Sequence, residues 1–103
     1  MENNLILMYT YIIMLTAIIS EFIGTFVFLL VILVVGEPIP IVIGLLASIY
    51  AFGKVSGGHM NPAVSTMMFA KGDINFDTLV MYVIAQILGG LCALMWWNFT
   101  SNK

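Results

Sequence analysis

The stretch SGGHMNPAVS contains two residues, Asn61 and Pro62, whose types and order can form a hydrogen-bonding site. Asparagine is a strong helix N-cap and proline is favoured at the first helical position, so the pair predicts a helix start. When the side-chain oxygen of Asn61 caps that helix, its amide NH2 group remains a free donor. The positive end of the helix dipole points at the same place, where it opposes an approaching cation. The simpler alternative is an ordinary helix cap.

Two ionisable residues are further candidates for chemistry. Glu21 lies in an apolar segment, where a carboxyl group is a functional hypothesis by default, either as a structural acceptor or as a proton relay. His59 is the single histidine, and one histidine without a partner motif predicts no metal site. No nucleophile, base and orienting group converge in the sequence, so we expect neither enzymatic activity nor a cofactor.

The composition is that of an integral membrane protein that crosses the bilayer several times. Of 103 residues, 62% are hydrophobic and only 8% are charged, and the mean hydropathy is +1.12. A soluble domain of this size could not hide that much apolar surface, so membrane lipid is an expected partner. Three basic side chains and a net charge of -2 predict no nucleic-acid binding. The single cysteine, Cys92, is expected to be a packed thiol.

Three apolar segments are candidates for membrane spans: residues 5–35, 39–55 and 78–99. A span needs about 20 apolar residues, so the first segment is longer than a span and the second is short. The pair Trp96 and Trp97 near the end of the third segment fits an interfacial aromatic belt. All three segments carry small residues at four-residue spacing, which lets transmembrane helices pack closely and predicts a bundle. These small residues are Ser20, Gly24, Gly44, Ser48, Ala85, Gly89 and Ala93.

Residues 56–71, between the second and third segments, predict a loop followed by a short helix. The helix would begin at Asn61–Pro62 and end at Lys71-Gly72, because a cation in the last turn and a following glycine are stop signals. Its length of about 15 Å is half of a hydrocarbon core of about 30 Å. That length fits a re-entrant half-helix, and equally a loop and amphipathic helix on the membrane surface. Non-helical backbone at membrane depth is stable only where protein buries it or water reaches it.

Four stretches resemble the aquaporin and aquaglyceroporin (major intrinsic protein) family in order and spacing. SGGHMNPAVS is similar to the family's first NPA loop, and SEFIGTFVF (Ser20–Phe28) to its first helix. YAFGKVSGGH (Tyr50–His59) is similar to the end of its second helix, and YVIAQILGG (Tyr82–Gly90) to its third. Altogether the resemblance extends from about Ser20 to Trp97.

The resemblance implies an all-α membrane protein with three transmembrane helices plus one re-entrant half-helix. Members of the family carry two such repeats, inserted in opposite directions, whose half-helices meet at the bilayer midplane through their NPA motifs. This sequence holds one NPA motif, so residues 1–103 are expected to form a single half repeat.

The resemblance also implies pore-lining positions. The Asn61 amide would donate to a passing water, and backbone carbonyls before it would form a ladder of acceptors. The side chain of His59 is expected to be a structural hydrogen-bonding group. The implied pore-lining residues are Gly57, Gly58, His59, Asn61, Pro62 and Ala63.

Four further roles follow from the same resemblance. Glu21 would brace the NPA loop by accepting from backbone N–H groups, and Gln86 would help to hold it. Ile41 and Val64 stand at two positions of the family's selectivity filter, the second where the other repeat carries arginine. A pair of such chains would therefore have an aliphatic, uncharged filter.

The implied function is a passive channel for water or small neutral solutes such as glycerol. One repeat cannot wall a pore, so the channel needs a second half: an antiparallel copy in a homo-oligomer, or a complementary half repeat. The alternative is a non-transporting, truncated subunit or remnant that binds or modulates full-length relatives. Passage of solute through this chain alone distinguishes the two.

Overall fold

The computed structural model describes residues 2–101 and consists of four helices. They are α1 (Glu2–Val34), α2 (Pro38–Ser56), α3 (Pro62–Lys71) and α4 (Phe76–Ser101). Three of them, α1, α2 and α4, are long and apolar enough to cross a membrane, and α3 has only 10 residues. The predicted fold class, all-α with three membrane-length helices and one short helix, is confirmed.

Local backbone signals end the helices. Gly57, with φ of 95°, ends α2 in the left-handed conformation and donates to the carbonyl of Gly53 at 2.8 Å. Gly72, with φ of 96°, ends α3 in the same way and donates to Met68 and Phe69. The long helices extend beyond the predicted segments: α1 begins at Glu2, α2 continues to Ser56, and α4 includes Asp77 in its first turn. These extra turns contain polar residues, which apolar patterning does not register.

Helix α1 is the centre of the bundle, since it packs against both α2 and α4. It runs antiparallel to α2, with Val31 beside Gly44 and Glu21 beside Ser56. It runs parallel to α4. In the described part of the chain α3 packs only against α4. Helix α2 does not contact α3, and it meets α4 only near its last residue, Ser56, whose carbonyl accepts from the Tyr82 hydroxyl. The small residues at four-residue spacing are all buried: Ser20, Gly24, Gly44, Ser48, Ala85, Gly89 and Ala93.

We expect Gly89→Ala to loosen the contact between α1 and α4. A methyl group at position 89 would come within 2.7 Å of the carbonyl oxygen of Phe22, a backbone atom that cannot move alone. Such overpacking costs about 1–3 kcal/mol. The matched control is Gly53→Ala, where the nearest atom would be a side-chain carbon of Ile49 at 3.7 Å. Thermal unfolding in detergent should show a lower Tm for Gly89→Ala only, and equal Tm values would contradict this packing.

Candidate functional site

The NPA turn, residues 56–61, joins α2 to α3 through an irregular backbone path. Gly58 and Met60 have φ of 67° and 53°. The left-handed conformation is unusual for a methionine, so the surroundings must hold it in place. Met60 is 2% exposed and lies over Gly24, where an added methyl group would overlap the Met60 Cε and Sδ. Thr25 adds a contact from its Oγ1 to the Met60 Sδ at 3.7 Å. Gly24 and Thr25 of α1 thus form the packing site for Met60 of this turn, which we call its seat.

Glu21 is completely buried and accepts four hydrogen bonds around the turn. Its Oε2 accepts from the Ser56 hydroxyl at 2.6 Å and from the His59 backbone N–H at 3.0 Å. Its Oε1 accepts from the Met60 backbone N–H and from Nε2 of Gln86, both at 2.9 Å. Two oxygens provide about four lone-pair positions, so this carboxylate is fully used as an acceptor. Every one of its partners belongs to the turn or to α4.

Ser65 connects the turn to both α3 and α4. Its Oγ accepts from Nε2 of Gln86 at 2.9 Å and lies 2.8 Å from Nδ1 of His59. Because the Gln86 NH2 group donates to both Glu21 and Ser65, the Ser65 hydroxyl hydrogen is free to point at His59. The Ser65 hydroxyl thus joins His59 of the turn to Gln86 of α4.

Tyr82 holds the start of the turn from α4. Its hydroxyl donates to the backbone carbonyl of Ser56 at 2.6 Å. Its ring meets the His59 ring edge-on, with centroids 5.1 Å apart and planes at 70°. Edge-to-face packing of rings is a favourable geometry. Tyr82 therefore both packs against the imidazole of His59 and holds the backbone carbonyl of Ser56.

Asn61 caps α3 and keeps a free donor. Its Oδ1 accepts from the Ala63 backbone N–H at 2.8 Å, and its backbone carbonyl accepts from Ser65 at 3.1 Å. Its side chain is exposed, and its Nδ2 has no hydrogen-bond partner among residues 2–101. The N-terminus of α3 and this NH2 group form one electropositive point, where a neutral oxygen acceptor can bind.

The other predicted site residues surround this point. The carbonyls of Gly57, Gly58 and His59 accept no hydrogen bond from the described chain. Gly57, Pro62 and Ala63 are exposed, whereas His59 is buried. Glu21 and Gln86 meet at the turn, as described above.

Ile41 and Val64 are not brought together in one copy. Both are half-buried, Ile41 in the first turn of α2 and Val64 in the first turn of α3. Because α2 and α3 make no contact within the described residues, these two side chains can meet only if a second half contributes one of them.

Four residues that hold the turn had no role predicted from the sequence: Ser56, Met60, Ser65 and Tyr82. Helical spacing could have indicated the role of one of them, Tyr82. Tyr82 and Gln86 are four residues apart, so they lie on the same face of α4. Nothing in the local sequence indicated the seat of Met60 on Gly24, because the two residues are distant in the chain.

We expect Tyr82→Phe to weaken the turn, because it leaves the buried Ser56 carbonyl without its donor. An unsatisfied buried acceptor costs about 1–3 kcal/mol. The matched control is Tyr50→Phe, since Tyr50 is 81% exposed and its hydroxyl makes no hydrogen bond within residues 2–101. Unfolding midpoints in detergent measure the difference, and an unchanged midpoint for Tyr82→Phe would argue against this contact.

An open groove of about 430 Å³ adjoins the NPA turn. Asn61 and Pro62 form one of its walls, and apolar residues of α1 and α4, among them Phe28 and Leu91, form the others. The groove is therefore an apolar surface that ends at the free donor of Asn61. Among the described residues no group of His, Cys, Asp and Glu side chains could hold a metal ion.

The comparisons with known proteins agree on one family. The Major intrinsic protein family profile matches residues 8–103. The Glycerol uptake facilitator protein-like 6 of Lactiplantibacillus plantarum is 37% identical over 83 residues, covering 72% of this chain. Aquaporin Z of Photorhabdus laumondii is 39% identical over 59 residues, covering 57% of this chain. The aligned regions span only 38% and 26% of those two proteins. No solved structure matches the chain significantly.

Proposed function

Since this chain belongs to the major intrinsic protein family, we propose that it forms one half of a passive channel for water or small neutral solutes such as glycerol. The observation that carries the proposal is the free Nδ2 of Asn61 at the capped N-terminus of α3. A passing water or hydroxyl group offers its oxygen to this donor, while the helix dipole opposes cations. Such transport needs a lined path of the right width and no bond-making chemistry.

The rigid hydrogen-bond network supports the same function. A channel must hold its donors and acceptors at fixed positions. Each hydrogen bond that a solute loses to water is then replaced at once by a hydrogen bond to the protein. Glu21 holds the backbone of His59 and Met60 from one side, and Tyr82 holds Ser56 from the other. The carbonyls left free between them, on Gly57, Gly58 and His59, can then serve as successive acceptors for a moving solute.

The channel requires a second half, because this half leaves one side open. Free carbonyls and the Asn61 amide would face hydrocarbon in a lone copy, and unsatisfied polar groups there cost several kcal/mol each. The second half is an antiparallel copy or a complementary half repeat. In an antiparallel pair the two Asn61 side chains lie close together near the midplane, with the groove beside each covered by the partner.

The same pairing would build the constriction. Ile41 of one half and Val64 of the other would face each other across the path. An aliphatic constriction without charge is suited to small neutral solutes rather than to ions. Exclusion of protons then depends on Asn61 and the two helix dipoles.

The open side of the bundle also supports one alternative function. Apart from its end at Ser56, α2 packs only against α1, which leaves a free surface for another half that a full-length relative could supply. The chain would then modulate that relative without conducting solute itself.

Solute flux through the chain alone tests the proposal. Proteoliposomes containing only this chain are placed in a hyperosmotic glycerol solution. Light scattering then follows the shrinkage caused by water efflux and the reswelling caused by glycerol entry. We expect permeability several-fold above that of protein-free liposomes, and a loss of it in Ala63→Trp, which places a bulky group beside Asn61. Met95→Trp is the control, because Met95 is 69% exposed near the end of α4. No flux from the chain alone, with altered flux of a co-reconstituted full-length relative, would favour the alternative.

A further inference from the structure

The N-terminal part of α1 extends past the level at which the rest of the bundle ends. The Thr78 hydroxyl, in the first turn of α4, lies 3.9 Å from the Met14 sulfur, so these two residues share one depth. Charged groups mark the water boundary beside this level, namely the exposed Lys71–Asp73 ion pair at the end of α3 and Asp77. Residues 2–13 therefore continue beyond the boundary, over about 18 Å of helix at 1.5 Å per residue.

This overhanging segment, residues 2–13, is largely apolar, and Asn3, Asn4, Thr10 and Tyr11 fall on one face at helical spacing. Its large side chains are 48% to 72% exposed, and they include Leu5, Ile6, Leu7, Met8, Tyr9, Tyr11, Ile12 and Ile13. Only Glu2, Asn3, Asn4 and Thr10 are polar without an aromatic ring. So many exposed apolar side chains on one helix have to be covered by protein or by lipid. Only the end of this segment comes near α2 and α4, where Thr10 and Ile13 border a pocket that Val55 and Tyr82 also line. The part from Met14 to Val34 already spans a bilayer of about 30 Å.

We propose that residues 2–13 bend away from the spanning part of α1 and lie along the membrane surface, embedded at the boundary between headgroups and acyl chains on the side of Lys71. The lipid of that surface thus covers the apolar side chains of residues 2–13. Helices placed in this way lie with their apolar side chains about 5–10 Å into the boundary. The two tyrosines, Tyr9 and Tyr11, suit this level because their rings are apolar and their hydroxyls polar. The family profile begins at residue 8, so the first half of this anchor, residues 2–7, lies outside the family match.

Two threonines supply points at which α1 can bend. Thr10 donates to the carbonyl of Ile6 at 2.9 Å, and Thr16 donates to that of Ile13 at 2.8 Å. Side-chain hydroxyls that bond to carbonyls of the preceding turn bend helices. Thr16 lies within one turn of the depth of Met14, which places a bend at the edge of the spanning part.

Depth measurements on single-cysteine variants test this anchor. Fluorescent probes are attached at Ile6→Cys and Ile13→Cys in a Cys92→Ser background, and quenched by nitroxides placed at known depths in the acyl chains. Reference variants are Ile23→Cys in the spanning part, which is 40% exposed, and Asp73→Cys at the water boundary. A membrane-impermeant thiol reagent, applied to permeabilised vesicles, measures water access at the same positions.

The anchor predicts equal, shallow depths for positions 6 and 13, and slow labelling by the impermeant reagent at both. A straight α1 along the bilayer normal would separate the two probes by about 10 Å in depth. A depth difference of that size, or labelling of position 6 as fast as that of position 73, would overturn the proposal. Weak nitroxide quenching at both positions, together with slow labelling and crosslinking between copies, would also overturn it, because protein would then cover the segment. Unchanged thermal unfolding of each variant confirms that the probes report on the folded chain.

Discussion

Replacing Glu21 with alanine should prevent the NPA turn from folding, and with it most of the bundle. The substitution removes the acceptor of four donors in a site with no access to solvent. Each donor left unsatisfied costs about 1–3 kcal/mol. Even without full additivity, the loss approaches the total stability of about 5–15 kcal/mol that is typical of folded proteins. The effect is one of folding rather than of selectivity, because Glu21 itself is 0% exposed and touches no passing solute.

Membrane yield and thermal unfolding in detergent measure this loss. Glu37→Ala is the matched control, because Glu37 is exposed and makes no side-chain capping bond at the start of α2. Glu21→Gln should give a yield and an unfolding midpoint between those of the parent and of Glu21→Ala. Its amide keeps one acceptor oxygen, but its NH2 group faces donors. A Glu21→Ala protein with the yield and unfolding midpoint of the parent would contradict the bracing role.

Fixing the orientation of the chain in the membrane should abolish flux, if the second half is an antiparallel copy. Lys54 and Lys71 end α2 and α3 on one side of the bundle, and Lys103, outside the described residues, follows α4. Orientation follows the Lys/Arg bias, and a bias of about one lysine permits insertion both ways. Adding Asn3→Lys and Asn4→Lys strengthens the bias in one direction, because both residues are at the Lys71 side.

The complementary variant carries Glu37→Lys and Asn98→Lys, two exposed positions at the opposite end, together with Lys54→Gln and Lys71→Gln. These four changes leave three lysines at that end, counting Lys103, and none at the other. Each fixed variant alone should lose most of its water flux, and co-expression of the two should restore it. Restoration is the informative result, since a merely damaged variant would not be rescued by another. Full flux from one fixed variant alone would show that antiparallel copies are not required.

The sequence predicted the short helix α3 because its signals are local. Asn61 and Pro62 at its start, with Lys71 and Gly72 at its end, act through the backbone within one turn. The burial of small residues was predictable for the same reason, since their four-residue spacing is a property of one helix at a time. The family resemblance added the expectation that Glu21 and Gln86 belong to the turn.

The remaining contacts of the site depend on tertiary packing. Gln86 and Ser65 are 21 residues apart, and Gln86 and Glu21 are 65 apart, so no local pattern pairs them. The left-handed Met60 could not be predicted either, because its conformation is stabilised by a seat on α1. The overhang of α1 became visible only once Met14 and Thr78 were seen at one depth.

The most direct test of pairing is crosslinking at position 61 in native-like lipid. Asn61→Cys is made in the Cys92→Ser background, and disulfide formation between copies is followed after mild oxidation. Asn98→Cys is the control, because an antiparallel pair places the two ends of α4 on opposite surfaces of the membrane. Pairing of two antiparallel copies at Asn61 predicts efficient crosslinking at position 61 and none at position 98. Crosslinking at position 98, or a chain that remains uncrosslinked at position 61 in lipid, would contradict the pairing of two antiparallel copies at Asn61.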